Sequence, residues 1–278
     1  MIKNFKKFRK DLQILKKNYK NKIILPDFSN NIDSKLINNI NIRDGYQRGW
    51  GIQRSKYSKF YSGDLIKQVR EDKLYEFALS AMGNISKNIM IEENRINIFL
   101  IITKYLQNIE NSDWIEFGSY KGSNLIFLSI LSKVLGFGNK IFGCDSFEGM
   151  PKTNKILELH NKGDFNDTDL KFLENYANKL GLDNLVLIKG FFKHSLKKKE
   201  MKKLKFSFCY IDCDLYESCN DAFKYLKNKL VPKGYFVFDD ATQSSCLGAT
   251  RFVEDIVIRK YRFNCEQIFP QFVFRNKN

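Results

Sequence analysis

Histidine is almost missing from this chain of 278 residues: only His160 and His194 occur. Two imidazoles leave the chain without the usual ligands of a catalytic zinc site. No run of about 18 consecutive apolar residues is present, which argues against a membrane-spanning helix. The basic N-terminus is not followed by an apolar stretch with a small-residue cleavage site, so the expected location is the cytoplasm. The six cysteines (Cys144, Cys209, Cys213, Cys219, Cys246 and Cys265) all fall in the second half and none forms a C-x-x-C pair. They are expected to be reduced and mostly buried as small hydrophobes. Neither the G-x-G-x-x-G of a pyrophosphate cradle nor a Walker lysine occurs. Ser119, between the glycines of "GSYKG", is misplaced for a nucleophile elbow.

What is present suffices for one sizeable α/β domain with an extension, since 43% of the residues are hydrophobic. The formal charge is +16, and residues 1–40 carry ten Lys/Arg against three Asp. Elsewhere the excess is spread out, which makes nucleic acid an unlikely partner. In "FKKFRKDLQILKKNY" the residues Phe5, Phe8, Leu12 and Leu15 form one helical stripe surrounded by lysines. The stripe is expected to pack on the body of the protein or on a second copy in a homo-oligomer; attachment to a membrane surface is the alternative. Pro26 and "SNNIDS" break the pattern and mark a linker. Residues 45–62, aromatic and basic, suit a segment folding over a ligand and equally a surface loop. A helical stretch, "RINIFLIITKYLQNI", then precedes the first strong strand.

From Asp113 onward the periodicity alternates. Strands are predicted at 113–117, 140–144, 185–189, 206–211 and 234–238, with helices near 123–135, 168–180, 219–230 and 249–260. Alternation of this kind means parallel strands joined by right-handed crossovers. The tail offers two further short strands around Pro270. The expectation is a Rossmann-like α/β fold: a mostly parallel seven-stranded sheet with helices on both faces over 100–278, behind a mainly helical extension and lid at 1–99.

Ligands of open α/β sheets sit at the carboxyl ends of the strands. The first strand ends in "WIEFGSYKGSN", where Gly118 and Gly122 permit a tight turn and Glu116 supplies a carboxylate at the tip. A carboxylate without a phosphate grip suits a nucleoside that bears a cationic amino-acid group; a turn that only lets a helix pack is the simpler reading. The second strand ends in "IFGCDSFEGMP". Asp145, about thirty positions on, is placed to hold ribose hydroxyls, or else to act as an N-cap for the segment after it.

Taken in order, "IEFGSYKGSN", "GCDSFEGMP", "GFFKHSL", "YIDCDLYES" and "PKGYFVFDD" resemble the macrocin O-methyltransferase (TylF-type) family of class I S-adenosylmethionine-dependent enzymes, which methylate sugar hydroxyls with a divalent metal. The resemblance spans about residues 90–260. It implies S-adenosylmethionine as cofactor, with Glu116, Gly118, Ser119, Gly122, Asp145 and Ser146 around it, and Mg2+ or a similar cation held by Asp212, Asp239 and Asp240. The first of these also resembles the general base. "FFKHSL" departs from the family's "WFKDTL"-like loop, His194 standing where an acid is usual.

The acids make physical sense together. Two neighbouring strands that end in carboxylates gather like charges at one point, and a divalent cation neutralises them. Three carboxylate oxygens leave an octahedral magnesium open positions for water or a vicinal diol. Sugar hydroxyls are poor nucleophiles until a base takes their proton. Asp212 is the first choice as base and ligand together; Asp214 is expected on the other strand face as a positioning residue, though the sequence leaves the base open between the two. Glu217, just after Tyr216, suits the start of a helix. A small-molecule sugar is the expected acceptor; a catechol-like acceptor or a non-catalytic nucleoside-binding module are the alternatives. No N-P-P-Y-type motif ends a strand, which disfavours methylation of nucleic acid.

Overall fold

The computed structural model describes residues 2, 4–19, 63–83, 85, 92–106, 109, 112–263, 265–268 and 270–276. The expected linker near Pro26 and the aromatic, basic segment 45–62 lie outside the described residues. Seven strands form one sheet: β1 (Asp113–Phe117), β2 (Ile141–Asp145), β3 (Leu185–Lys189), β4 (Phe206–Ile211), β5 (Leu230–Phe238), β6 (Cys265–Gln267) and β7 (Phe272–Arg275). Their order is β3-β2-β1-β4-β5-β7-β6. The first five are parallel, and β7 runs antiparallel to both β5 and β6. The expected mostly parallel seven-stranded sheet is the one observed.

The helices are α1 (Phe5–Tyr19), α2 (Gly63–Arg70), α3 (Lys73–Met82), α4 (Glu92–Leu100), α5 (Ser123–Leu135), α6 (Leu170–Leu180), the short α7 (Phe192–Ser195), α8 (Tyr216–Leu226) and α9 (Leu247–Phe252). Two of them, α4 and α9, run on into wider π turns at Ile101–Tyr105 and Val253–Lys260. The helix expected at 219–230 lies three to four residues earlier, because Leu230 pairs with Phe206 and opens β5. The apolar pair Leu230 and Val231, read as the end of a helix, is the start of a strand. Lys233, with φ +64°, marks the irregularity that lets the strand run through Pro232.

Side chains alternate along each strand and fill two cores. On β4, Phe208 and Tyr210 face the core shared with α1, α3, α4, α5 and α6, while Phe206, Cys209 and Ile211 face the one shared with α8 and α9. The apolar stripe of α1 packs on the body: Phe8 stacks on Phe77 at 4.4 Å, Phe5 meets the edge of Tyr176 at 6.0 Å, and Leu12 is buried. Tyr19 closes the helix by donating to Asp72 at 2.7 Å, the same carboxylate that caps α3. Residues from Phe8 to Val273 share one core, with no separate core for the described part of 1–99. No described helix is long and apolar enough to cross a membrane.

Because Phe8 is a core residue, Phe8→Ala is expected to cost about 3 kcal/mol of unfolding free energy. Lys6→Ala, on the exposed face of α1, should change it by less than about 0.5 kcal/mol. Equal, negligible effects in urea denaturation would mean that α1 does not belong to the folded body.

Candidate functional site

Sheet order reverses between β1 and β4, and the cleft opens at that switch point, over the carboxyl ends of β1, β2, β4 and β5. It encloses ≈ 470 Å³. Gly118, Tyr120, Asp145, Ser146, Met150, Phe191, His194, Asp212, Asp214, Asp239 and Asp240 are among the residues on its walls.

The loop after β1 owes its path to glycine. Gly118 has φ +80°, and a Cβ there would lie 1.6 Å from the carbonyl oxygen of Asp212. No side chain fits, so the first loop and the tip of β4 touch backbone to backbone. Gly122, φ +81°, opens α5 under Leu173. Asp145 fixes the loop from the other side: its carboxylate accepts the backbone N–H of Ser119 at 2.8 Å and Tyr120 at 2.9 Å, and that of Phe147 at 2.7 Å. Such a carboxylate offers roughly four acceptor positions, so little capacity is left for a second ligand. Asp145 is thus a clamp for two loops as well as part of the cleft wall. Ser146 is similarly committed, donating to the Gly149 carbonyl at 2.8 Å. The hydroxyl of Ser119 is buried and has no hydrogen-bond partner among the described residues.

Glu116 is not on the cleft wall. It is buried beneath it, 1% exposed, with one hydrogen bond, from Asn124 at 3.3 Å. Burial pushes its carboxyl well above the ordinary range; Asn124 opposes the shift, and Asp145 and Asp239 add to it.

Asp212, Asp239 and Asp240 converge as the strand tips lead one to expect, each offering a carboxylate oxygen within 4.8 Å of the others. Burial, then Asp239, Asp240 and Asp214, drive the Asp212 carboxyl well above its usual value. Asp240 is raised in the same way by burial and then by Asp214 and Asp239. The charges that raise Asp212 most are all acidic, and a cation would relieve all three groups together. Asp239 is different: burial raises it, but Tyr210, Gln271 and Asn94 donate to it and hold it down. That network continues from Gln271 to Asn97 at 2.8 Å and from Asn97 to Gln267 at 2.9 Å, so α4, β4, β6 and the start of β7 all support one aspartate.

Asp214 departs from expectation. The strand stops at Ile211, the backbone at Asp214 lies in the left-handed region, φ +54°, and its side chain lines the same cleft as Asp212, as two residues two apart also would in a continuing strand. Its N–H donates to Asp240 at 3.1 Å. Sequence reasoning also missed Asn94, Tyr210 and Gln271, since neutral polar residues in apolar runs carry no spacing signal.

The macrocin-O-methyltransferase (TylF) family matches residues 84–260. This chain belongs to that family. The expected recognition and fold stand. Among curated relatives, an 8-demethyl-8-(2,3-dimethoxy-alpha-L-rhamnosyl)-tetracenomycin-C 4'-O-methyltransferase of Streptomyces olivaceus is 28% identical over 49% of this chain and 56% of its own length. The chain thus matches little more than half of that relative. Mycinamicin III 3''-O-methyltransferase of Micromonospora griseorubida is 23% identical over 69% of this chain and 87% of its own. The O-methyltransferase NovP shares the fold with a TM-score of 0.57 at 20% identity, over 66% of this chain and 78% of that one. Calicheamicin methyltransferase CalS11 does so with 0.57 at 15%, over 76% and 90%.

Two measurements check this electrostatic picture. Asp145→Ala leaves three N–H groups without their acceptor, so it should lower stability by about 1–3 kcal/mol as well as weaken S-adenosylmethionine binding. An equally stable variant would remove the clamp. For Glu116 the folded value lies above the unfolded one, so the neutral form is the one the fold prefers. Its contribution is complete below the unfolded range, at about 4.3, and is lost as pH rises through the folded value. Without cofactor or metal, Glu116→Gln should therefore melt higher than the parent near pH 8, and the gap should close towards pH 5. A constant or inverted gap would contradict the burial argument.

Proposed function

We propose that this enzyme transfers the methyl group of S-adenosylmethionine to a hydroxyl of a nucleotide-linked sugar, with a divalent cation held by Asp212, Asp239 and Asp240. The convergence of those three carboxylates on the wall that faces the Asp145 loop carries the reading. The relatives named for methylation of rhamnosyl or other glycosylated molecules support a sugar acceptor, and a further CalS11 structure is described as a TDP-rhamnose 3'-O-methyltransferase. Lys152 and Lys193 on the cleft wall suit the phosphates of a nucleotide carrier.

The donor set fits the ion. Three hard oxygen ligands, with neighbouring carboxylates the main charges raising Asp212, would suit magnesium or manganese. When bound, such a cation supplies positive charge that makes a hydroxyl easier to ionise. S-Adenosylmethionine supplies an electrophilic methyl carbon on a sulfonium. The chain supplies alignment and proton transfer. The Asp145 clamp fixes the loop of Gly118 to Tyr120 beside the cofactor, and the Gly118 contact sets that loop's distance from the tip of β4. Asp212 accepts the hydroxyl proton as the oxygen attacks in line with the C–S bond, and the electron pair of that bond leaves with sulfur. Asp212 is preferred to Asp214 as base because the Asp214 carboxylate already has Cys246 at 3.2 Å and His160 at 3.7 Å.

Removal of divalent metal with a chelator should abolish methyl transfer and leave S-adenosylmethionine binding within about threefold, with magnesium restoring turnover. Asp212→Asn keeps the shape but loses ligand charge and base, and should lower kcat by about 10²–10⁴. Full turnover by metal-free protein in excess chelator would defeat the assignment.

A further inference from the structure

A second group of potential ligands lies beside the first. After β2 the chain forms a long loop whose Met150, Pro151, Lys152 and Phe165 line the cleft. The loop closes on itself through the Met150 N–H to the Asp164 carbonyl at 2.8 Å and the Gly163 N–H to the Met150 carbonyl at 3.0 Å. Glu158 ties it to the start of α8 by accepting the Tyr216 N–H at 2.8 Å. One further residue of this loop, His160, meets Asp214 from the tip of β4 and Cys246 from the start of α9.

We propose that His160, Asp214 and Cys246 form a second metal site, selective for a borderline-soft divalent cation such as zinc, which fastens the loop after β2 to the tip of β4. His160 Nε2 lies 3.7 Å from Asp214 Oδ1 and 3.8 Å from Cys246 Sγ, and Sγ lies 3.2 Å from the same Oδ1. The imidazole-to-carboxylate separation is too long for a hydrogen bond, which runs to about 3.2 Å. A tetrahedral zinc with bonds of about 2.0 Å to N and O and 2.3 Å to S has ligand-to-ligand edges of roughly 3.3–3.6 Å, and the three observed separations bracket that range. The other ring nitrogen, Nδ1, lies 3.7 Å from Asp164 Oδ2, so both ring nitrogens face carboxylates without a hydrogen bond to either. One N, one S and one O ligand distinguish this group from the all-oxygen Asp212 cluster, and they favour zinc over magnesium.

On binding, the Cys246 thiol releases its proton to solvent and enters as thiolate. Three protein ligands leave one tetrahedral position for water. The site also withdraws the Asp214 carboxylate from proton transfer, while the Asp214 N–H still donates to Asp240 at 3.1 Å. Zinc here therefore holds the wall of the cleft in place and leaves the base role to Asp212.

Cobalt(II) reports on the site without any assay of activity. The whole chain, stripped with chelator and titrated with cobalt in excess magnesium, should take up one equivalent with the intense visible bands of tetrahedral geometry and a near-ultraviolet sulfur-to-cobalt charge-transfer band. Zinc should bleach both. Cys246→Ser should remove the charge-transfer band, His160→Gln should weaken cobalt binding at least tenfold, and Asp212→Asn should leave the band in place. Absence of that band in the wild-type chain at saturating cobalt, or its survival in Cys246→Ser, overturns the proposal. Circular dichroism establishes that each variant is folded, and if neither ligand variant folds the wild-type titration decides alone.

Discussion

One buried carboxylate constrains the architecture around it. Asp239 follows β5 at the floor of the cleft, where an ionised group without partners would cost several kcal/mol. Asn94, Tyr210 and Gln271 donate to it, and each comes from a different part of the fold. The helix before the first strand, the strand that carries Asp212 and the antiparallel strand at the far side are thereby bound to one point. The acidic cluster can form because one of its members is already satisfied, leaving Asp212 and Asp240 as the groups with unmet charge.

The same floor joins the two sides of the cleft. Gly118 approaches the Asp212 carbonyl so closely that no Cβ fits between them, and the loop that contains Gly118 is held by Asp145. A displacement on either side is therefore felt on the other. The long loop after β2 closes the arrangement, with Glu158 docked on the start of α8 and Phe165 on the cleft wall.

Much of this was legible in the sequence, for physical reasons. Strand tips that turn from apolar to acidic, as in "CYIDCD" and "VFDD", identify both the sheet edge and the cluster, because period-two burial fixes which residues emerge at the tip. The amphipathic stripe of α1 was equally plain, and it packs on the body. Glu116 and Asp214 were misplaced for different reasons: a carboxylate near a strand end reads alike whether it is exposed or buried under the loop, and Asp214, two residues after Asp212, shares its side of the sheet. His160 and Cys246, 86 positions apart, carry no spacing signal at all, and two histidines in a whole chain argued against a catalytic zinc site. Only the fold puts them beside one another.

The packing of α1 bears on how the chain is made. Phe8 and Leu12 leave the ribosome well before their partners in α5 and α6, which extend to Leu180. At about 5–20 residues per second, on the order of ten seconds or more separates the two. During that interval a lysine-rich helix-forming segment has its apolar side uncovered, because the α6 part of its seat is made only after β1 and β2. Until α6 has emerged, α1 is therefore the described element whose apolar face most needs protection.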